Sequence, residues 1–156
     1  MKRNNILALI GFYIPVLFVQ FFGSLVTSRS VTTWYPMLEK SALTPPGFVF
    51  GIVWTILYIL MTIAAWRVWR IERKINTPAQ RMWFLQLIAG LVWTMLFFGM
   101  RLPQEGLAMI ACVWVFAVLA FLRFRRIDRL AAGLLVPLLL WVSFATYLSA
   151  FIAFNN

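Results

Sequence analysis

The sequence predicts an all-α integral membrane protein, a bundle of five transmembrane helices with a long loop between helices 1 and 2. Of its 156 residues, 63% are hydrophobic and 12% are charged, and the mean hydropathy is +0.90. A soluble domain usually carries about twice that share of charged residues to cover its surface. In addition, five apolar stretches each approach the roughly 20 residues that cross a bilayer. Because lipid offers the backbone no hydrogen-bond partners, stretches of this length must be helical.

The five helices belong to one predicted domain of residues 1–156. They are expected at about residues 5–27, 46–69, 80–100, 104–123 and 130–153. Pro15 and Pro137 lie inside the first and fifth helices, where each is expected to produce a kink. Thr44 offers an N-cap to the second helix, and Thr77 followed by Pro78 leads into the third.

One connection is much longer than the others. It runs from Ser28 to Pro45, eighteen residues, whereas the other connections are short turns. Its large apolar side chains include Trp34, Tyr35, Met37, Leu38 and Leu43. We therefore expect the loop to pack on the bundle and to cover or gate something, the alternative being a floppy segment outside the membrane.

The basic residues lie at the ends of the apolar stretches, where they would meet lipid headgroups rather than nucleic acid. The chain has 14 basic and 4 acidic residues, a net charge of +10. One side of the predicted bundle carries Lys2, Arg3, Arg67, Arg70, Arg73, Lys74, Arg81, Arg123, Arg125, Arg126 and Arg129, and the other carries Arg29, Lys40 and Arg101. The expected location is a bacterial cytoplasmic membrane, and in such a membrane this asymmetry predicts a cytoplasmic N-terminus and an external loop.

Several classes of chemistry have little to work with in this sequence. There is no histidine and a single cysteine, Cys112, which argues against histidine-dependent triads, most zinc sites and histidine-ligated haem. We predict no metal site and no covalent cofactor. The acidic residues Glu39, Glu72, Glu105 and Asp128 all fall in loops or at helix ends. An ion-coupled pump or an acid–base enzyme normally needs such groups at depth or in a pocket.

Aromatic residues are plentiful, with 15 Phe, 8 Trp and 4 Tyr. Trp66, Trp69 and Trp83 lie beside the basic connection and are expected to form an interfacial belt. Four other tryptophans lie deeper: Trp54, Trp93, Trp114 and Trp141. Because an indole N–H in hydrocarbon needs a partner, we expect these four to face protein or a cavity.

Two helix faces connect these deep tryptophans. Phe50, Trp54 and Tyr58 repeat every four residues and form one aromatic stripe on the second helix. The small residues Ala145 and Ser149 continue the face of Trp141 on the fifth helix. Gly47 and Gly51 form a GxxxG pattern, which permits close helix approach. Core packing and a ligand pocket both remain open as explanations of these faces.

Loop 1 and the second helix carry the most specific pattern. It reads Trp34-Tyr35-x-x-Leu38-x-Lys40, followed by Thr44-Pro45-Pro46-Gly47-x-Val49-Phe50-Gly51-x-x-Trp54-Thr55-x-Leu57-Tyr58. Further matches are Gln86-Leu87, Trp93-Thr94, Phe97-Phe98-Gly99, Pro137, Trp141, Phe144-Ala145-Thr146 and Leu148. Together they resemble the TspO/MBR family, the tryptophan-rich sensory proteins and mitochondrial translocator (peripheral benzodiazepine receptor) proteins.

The resemblance implies a five-helix bundle, often a homodimer, with a pocket beneath loop 1 that binds porphyrins such as protoporphyrin IX and benzodiazepine-type drugs. The ligand positions it implies are Tyr35, Pro45, Trp54, Trp141, Ala145 and Ser149. To these the aromatic faces add Phe50, Tyr58 and Trp93. By family analogy an outer-membrane location is also open.

Four departures from the family pattern lead us to expect a different ligand selectivity. Ser41-Ala42 replaces the usual Pro-Trp after the loop lysine, and Gly90 replaces an Asn on the third helix. Met95 stands where the family has Pro, and Leu138 where it has Tyr. Gly90 and Leu138 each remove a polar contact that the family's Asn and Tyr could make.

The expected function is therefore a tetrapyrrole-binding sensor or translocator-type protein and not an enzyme. A porphyrin would stack on Trp54 and Trp141, with its propionates near Arg29 or Lys40. Two alternatives remain open: light-dependent porphyrin degradation through Trp54 and Trp141, which the resemblance implies for some bacterial members, and transport of porphyrin or another lipophilic small molecule. Without histidine, metal-free porphyrin is expected to bind at least as well as haem.

Overall fold

The computed structural model describes residues 2–156, with side chains from Asn4 onward. Within this range the chain is entirely helical apart from its connections, and five helices are long and apolar enough to cross a membrane. They are α1 Lys2–Thr33, α2 Gly47–Glu72, α3 Pro78–Thr94, α4 Pro103–Ile127 and α5 Arg129–Asn155. A π-helical turn, Met95–Gly99, continues α3. The predicted fold class is confirmed.

The first helix extends further than the sequence predicts, so the predicted loop bounds are wrong. Residues 28–33 are helical, and the connection to α2 shrinks to residues 34–46, including a 3₁₀ turn at Tyr35–Met37. The hydroxyl groups of Ser28, Thr32 and Thr33 donate to backbone carbonyls three or four residues earlier. Hydroxyl residues usually favour turns, but here they bond back along the helix and do not interrupt it.

The helix caps are partly as predicted. Thr77 caps α3 by accepting a hydrogen bond from the Gln80 N–H, and Pro78 occupies the first helical position. In α2 the N-cap is Pro46 rather than the predicted Thr44, and it makes no side-chain cap bond. Both connections at the other end of the bundle are shorter than predicted, because α2 continues to Glu72 and α4 continues through residues 124–127.

A single residue, Asp128, joins α4 to α5 and also ties this turn to α2. Its carboxylate accepts a hydrogen bond from the Leu130 N–H at 2.9 Å, and the Arg67 Nε donates to it at 2.7 Å. Partial burial alone would raise the pKa of Asp128. The hydrogen bonds and the Arg67 charge outweigh it and hold that pKa below its usual range. The turn is therefore held together by an ionised carboxylate.

Two tryptophans lie in environments that the sequence does not predict. Trp83 is fully buried and donates from its Nε1 to the Met61 carbonyl at 3.0 Å, so it links α3 to α2 and is not part of an interfacial belt. The sequence predicts that Trp114 faces protein or a cavity, but 40% of it is exposed on the lipid side. Its N–H donates to the Ser143 hydroxyl at 2.8 Å. That bond satisfies the indole and lets the ring face lipid.

The close approach between helices occurs at a different glycine from those predicted. Gly47 and Gly51 are exposed, and a Cβ atom on Gly51 would meet nothing within 4 Å. A Cβ on the buried Gly106 of α4 would lie 2.8 Å from Phe97 Cδ2 and 3.3 Å from Phe97 Cα. The absence of a side chain at Gly106 therefore brings α4 against the π-helical turn and sets the position of Phe97.

Candidate functional site: an aromatic cavity beneath the loop

A small aromatic cavity lies at the end of the bundle that carries the loop. Its walls come from the loop, α2, α3 with its π-helical turn, and α5. They are formed by Tyr35, Phe50, Trp54, Trp93, Phe97, Phe98, Ala145, Leu148, Ser149 and Ile152. Six of the nine predicted ligand residues are among them: Tyr35, Phe50, Trp54, Trp93, Ala145 and Ser149. The structure thus brings residues of four separate segments to one place.

Three predicted residues do not line the cavity. Tyr58 lies behind Trp54, with its ring centroid 5.6 Å away. Trp141 packs edge-on against Phe50 at 5.6 Å and therefore supports the wall from outside. Pro45 is half-buried in the loop and is not part of the wall.

Four wall residues were not predicted, and two of them follow from helical spacing. Leu148 and Ile152 share the face of Ala145 and Ser149 on α5, at intervals of three and four residues, so the same periodicity could have found them. Phe97 and Phe98 are adjacent in sequence and both reach the wall from the π-helical turn, which the Met100 N–H closes on the Met95 carbonyl at 2.8 Å. Such turns frequently occur at functional sites.

The aromatic rings nearly fill the space that they surround. Trp93 lies at the centre, with the rings of Trp54, Phe97 and Phe98 between 5.9 and 6.2 Å from it. Tyr35 of the loop closes the top, 5.8 Å from Phe98. The remaining cavity measures about 20 Å³, which is room for one water molecule. The structure is therefore a closed form of the site.

Two indole N–H groups beside the cavity have no hydrogen-bond partner within residues 4–156. They belong to Trp93, which lines the wall, and to Trp141, which supports it. A buried donor without a partner costs about 1–3 kcal/mol. Trp83 and Trp114 show that other indoles of this chain do find partners. Of the two, the Trp93 N–H lines the cavity and is the one that an acceptor atom of a ligand there would meet first.

The loop is attached to the last helix by two contacts. The hydroxyl groups of Ser41 and Tyr147 lie 3.0 Å apart. At the chain end, the Glu39 N–H donates to Asn156 Oδ1 at 2.8 Å, and Asn156 Nδ2 donates back to the Glu39 carbonyl at 3.1 Å. We call these two contacts the lid latch. It holds the loop over the cavity, as expected of a loop that covers a site.

Lys40 has a structural role in this conformation. Its ammonium group donates to the carbonyls of Tyr35, Pro36 and Leu38 at 2.9–3.1 Å and lies 5.3 Å from the Tyr35 ring centroid. An ammonium group has three donors, and all are used. The expected contact between Lys40 and a ligand carboxylate is therefore incompatible with the closed loop. Burial raises the pKa of Tyr35, so its hydroxyl stays protonated.

Five membrane-crossing helices and a latched loop over an aromatic cavity define a small multi-pass membrane protein with an apolar site beneath that loop. Comparison of sequences places it more narrowly. The profile of the TspO/MBR family matches residues 12–154, and the chain belongs to that family.

Named relatives cover most of the chain. A tryptophan-rich protein TspO from Chlorobaculum tepidum is 40% identical over 135 residues, 84% of each chain. A second protein of that name, from Archaeoglobus fulgidus, is 35% identical over 145 residues, 93% of this chain and 94% of its own. The Homo sapiens translocator protein is 32% identical over 135 residues, 83% of this chain and 78% of its own.

Proposed function

We propose that this chain is a sensor or translocator-type membrane protein whose ligand is a tetrapyrrole, protoporphyrin IX, held in the cavity beneath the loop. Family membership supports the sensor or translocator class. The observation that carries the ligand assignment is the set of aromatic rings around Trp93, accompanied by the unpartnered Trp93 N–H in the wall and the unpartnered Trp141 N–H behind it. Flat apolar ligands stack on such rings, and their few polar atoms can accept those N–H groups.

Binding requires the site to open first. Pockets that hold drug-sized ligands usually measure about 300–1,000 Å³, whereas this cavity measures about 20 Å³. A porphyrin therefore enters only after the lid latch has separated and rings such as Trp54 and Phe98 have moved. The free energy of opening lowers the apparent affinity, because only the open fraction of the protein can bind.

The edge of the ligand would meet the loop end of α1. Because the Lys40 donors are occupied by backbone carbonyls, Arg29 is the better candidate to meet a propionate group. Arg29 is exposed near the end of α1, on the side of the bundle that carries the loop. We further propose that the protein acts as a homodimer and that the loop lies on the external side of the membrane.

The test is a titration of protoporphyrin IX into the protein in nanodiscs, followed by tryptophan quenching and porphyrin absorbance. Trp93→Phe keeps a ring and removes the N–H, so we expect the affinity to fall about fivefold to tenfold. The matched control is Trp114→Phe, since the Trp114 ring faces lipid and its N–H bonds to Ser143. We expect no change in affinity for that variant.

Equal affinity of wild type, Trp93→Phe and a Trp54→Phe, Trp141→Phe double variant would contradict the proposal. The same titration in light and in darkness tests photooxidative degradation of the porphyrin. That second function is favoured by the contact chain from Tyr58 through Trp54 to Trp93, with centroids 5.6 and 6.2 Å apart. Loss of the porphyrin spectrum in light that Trp54→Phe abolishes would support it.

A further inference from the structure

A second and larger cavity lies at the opposite end of the bundle, between the start of α1, the end of α2 and the start of α3. It measures about 520 Å³ and is open to the surroundings. It is lined by Asn4, Leu7, Ala8, Gly11, Phe12, Trp69, Arg73, Ile75 and Phe84. We call it the basic-end groove. None of its residues belongs to the aromatic cavity, so the two sites are separate.

The basic-end groove changes from polar to apolar along α1. Asn4 and Arg73 contribute its polar groups, and Leu7, Gly11 and Phe12 continue it. From Asn4 to Phe12 the helix rises about 12 Å. A Cβ atom added to Gly11 would meet nothing within 4 Å, so the space beside α1 is not filled by protein there. These dimensions suit a charged headgroup at the mouth and an acyl chain along the helix.

Arg73 is positioned at this mouth by its backbone and by two contacts. It ends α2 in the left-handed conformation, with φ 56°, and its N–H donates to the Trp69 carbonyl at 2.7 Å. Its guanidinium lies 5.2 Å from the Trp69 ring centroid and donates one hydrogen bond to Asn5 Oδ1 at 3.0 Å. A guanidinium has five N–H donors. Arg73 can therefore bind an anion without giving up these contacts.

The charge around the mouth is positive. Within residues 4–156 the ion pair is that of Arg67 with Asp128, so no carboxylate lies within 4 Å of Arg73. The neighbouring acid, Glu72, accepts a hydrogen bond from the Thr77 hydroxyl at 2.7 Å. On α3, Arg81 precedes Phe84 by three residues, which places both on one helix face. Arg73 lines the mouth, and Arg81 adds a positive charge on the helix face of Phe84.

We propose that the basic-end groove binds one anionic phospholipid, with the phosphate at Arg73 and an acyl chain along α1. The arginine fork matches phosphate oxygens in geometry and charge. The apolar walls of the groove match an acyl chain. Because the groove opens towards the membrane, these walls are always in contact with lipid. α1 also has the least protein around it, since 17% of its membrane segment is buried against 39% for α5. A bound lipid would complete the packing of α1 against α3.

The experiment counts bound lipids by native mass spectrometry as the purified full chain is titrated with dioleoyl phosphatidylglycerol or dioleoyl phosphatidylcholine. Arg73→Gly removes the guanidinium and suits the left-handed backbone, so the fold is expected to be kept. Its matched control is Arg101→Gly, because Arg101 is the other non-glycine residue with positive φ, 59°, and lies at the opposite end of the bundle. Both variants lose the same charge and gain the same backbone freedom.

A second pair of variants tests the apolar part of the groove. Gly11→Leu places a side chain in the empty space, and Gly133→Leu is its control, since a Cβ there also meets nothing within 4 Å. We expect phosphatidylglycerol to bind the wild type about fivefold or more tighter than phosphatidylcholine. In Arg73→Gly the affinity for phosphatidylglycerol should fall by about the same factor. Gly11→Leu is expected to abolish the bound lipid, whereas Arg101→Gly and Gly133→Leu behave like wild type.

Three outcomes would overturn the proposal. The first is equal binding of the two lipids, and the second is an equal loss in Arg73→Gly and Arg101→Gly. The third is a dimer that Gly11→Leu dissociates with no lipid bound, which would make a second copy of the chain the occupant. Thermal unfolding with and without phosphatidylglycerol shows whether each variant is folded, because a bound lipid raises the midpoint only where the site is intact.

Discussion

The two ends of this bundle solve the same packing problem differently. At the loop end, aromatic rings and a latched loop reduce the cavity to about 20 Å³. At the basic end, Ala8 and Gly11 face a groove of about 520 Å³ between α1 and α3. In lipid, apolar surface gains little from contact with protein rather than with acyl chains. A wide gap that lipid can fill is therefore tolerated at the basic end, whereas side chains already fill nearly all of the space beneath the loop.

The two ends also differ in the groups that make each of them selective. The closed end presents ring faces and two unpartnered indole N–H groups, and its access depends on the lid latch. The open end presents a guanidinium group and the apolar basic-end groove, which is already formed. Binding there therefore needs no conformational change. We therefore expect slow, gated binding at the loop end and rapid exchange with the surrounding lipid at the basic end.

The largest expected effect comes from a substitution that disturbs the wall of the aromatic cavity at the closed end. Gly106→Ala would bring a Cβ atom to 2.8 Å from Phe97 Cδ2, and the backbone of Phe97 limits how far that ring can retreat. Overpacking of this kind costs about 1–3 kcal/mol. We expect a lower midpoint of unfolding in an SDS titration. Gly51→Ala is the control, because open space and better helix propensity should make it neutral or stabilising. Equal midpoints for the two variants would show that the packing of α4 does not determine the position of Phe97.

The next effect opens the closed end at its lid. Ser41→Ala or Tyr147→Phe removes one partner of the 3.0 Å hydroxyl contact. A hydrogen bond of about 1 kcal/mol corresponds to about a fivefold change in the opening equilibrium. Amide hydrogen exchange in residues 34–46 should accelerate by that factor, and porphyrin association should accelerate with it.

Ser143→Ala is the control for the lid, because it removes a serine–aromatic hydrogen bond on the same helix without touching the loop. Unchanged exchange in both lid variants would mean that the Glu39–Asn156 contacts hold the loop by themselves. Faster exchange with unchanged porphyrin association would separate the lid from ligand binding.

The smallest effect is the loss of the Asp128 charge in the turn between α4 and α5 at the basic end. Asp128→Asn keeps an N-cap side chain but loses the charge that pairs with Arg67, whereas Asp128→Ala loses both. Losing the cap costs about 1 kcal/mol. The ion pair is worth less, since 32% of the Arg67 side chain is exposed. SDS unfolding midpoints should therefore rank wild type, Asp128→Asn and Asp128→Ala in decreasing order.

The pH dependence of that difference follows from the lowered pKa of Asp128. Because the folded pKa lies below the ordinary value of 3.8, the contribution to stability is complete above that value. It is lost as the pH falls through the folded pKa. The gap between wild type and Asp128→Asn should consequently close under acid conditions, and a gap that persists there would assign it to something other than the charge.

The sequence by itself determined the five helices, because stretch length and apolar composition decide what can cross a bilayer. It also determined which residues share a helix face, such as Phe50 with Trp54 and Ala145 with Ser149, because the helical period fixes those directions. Spacing along one helix does not reveal what stands opposite it.

Only the tertiary structure decided which residues of different helices face one another. It buried Trp83 against the Met61 carbonyl, turned Lys40 towards loop carbonyls, and chose Gly106 as the point of close approach. It also closed one end of the bundle and left the other open beside Gly11. Each of these outcomes depends on distances between helices, which arise from the packing of all five together and cannot be read from the period of any one of them.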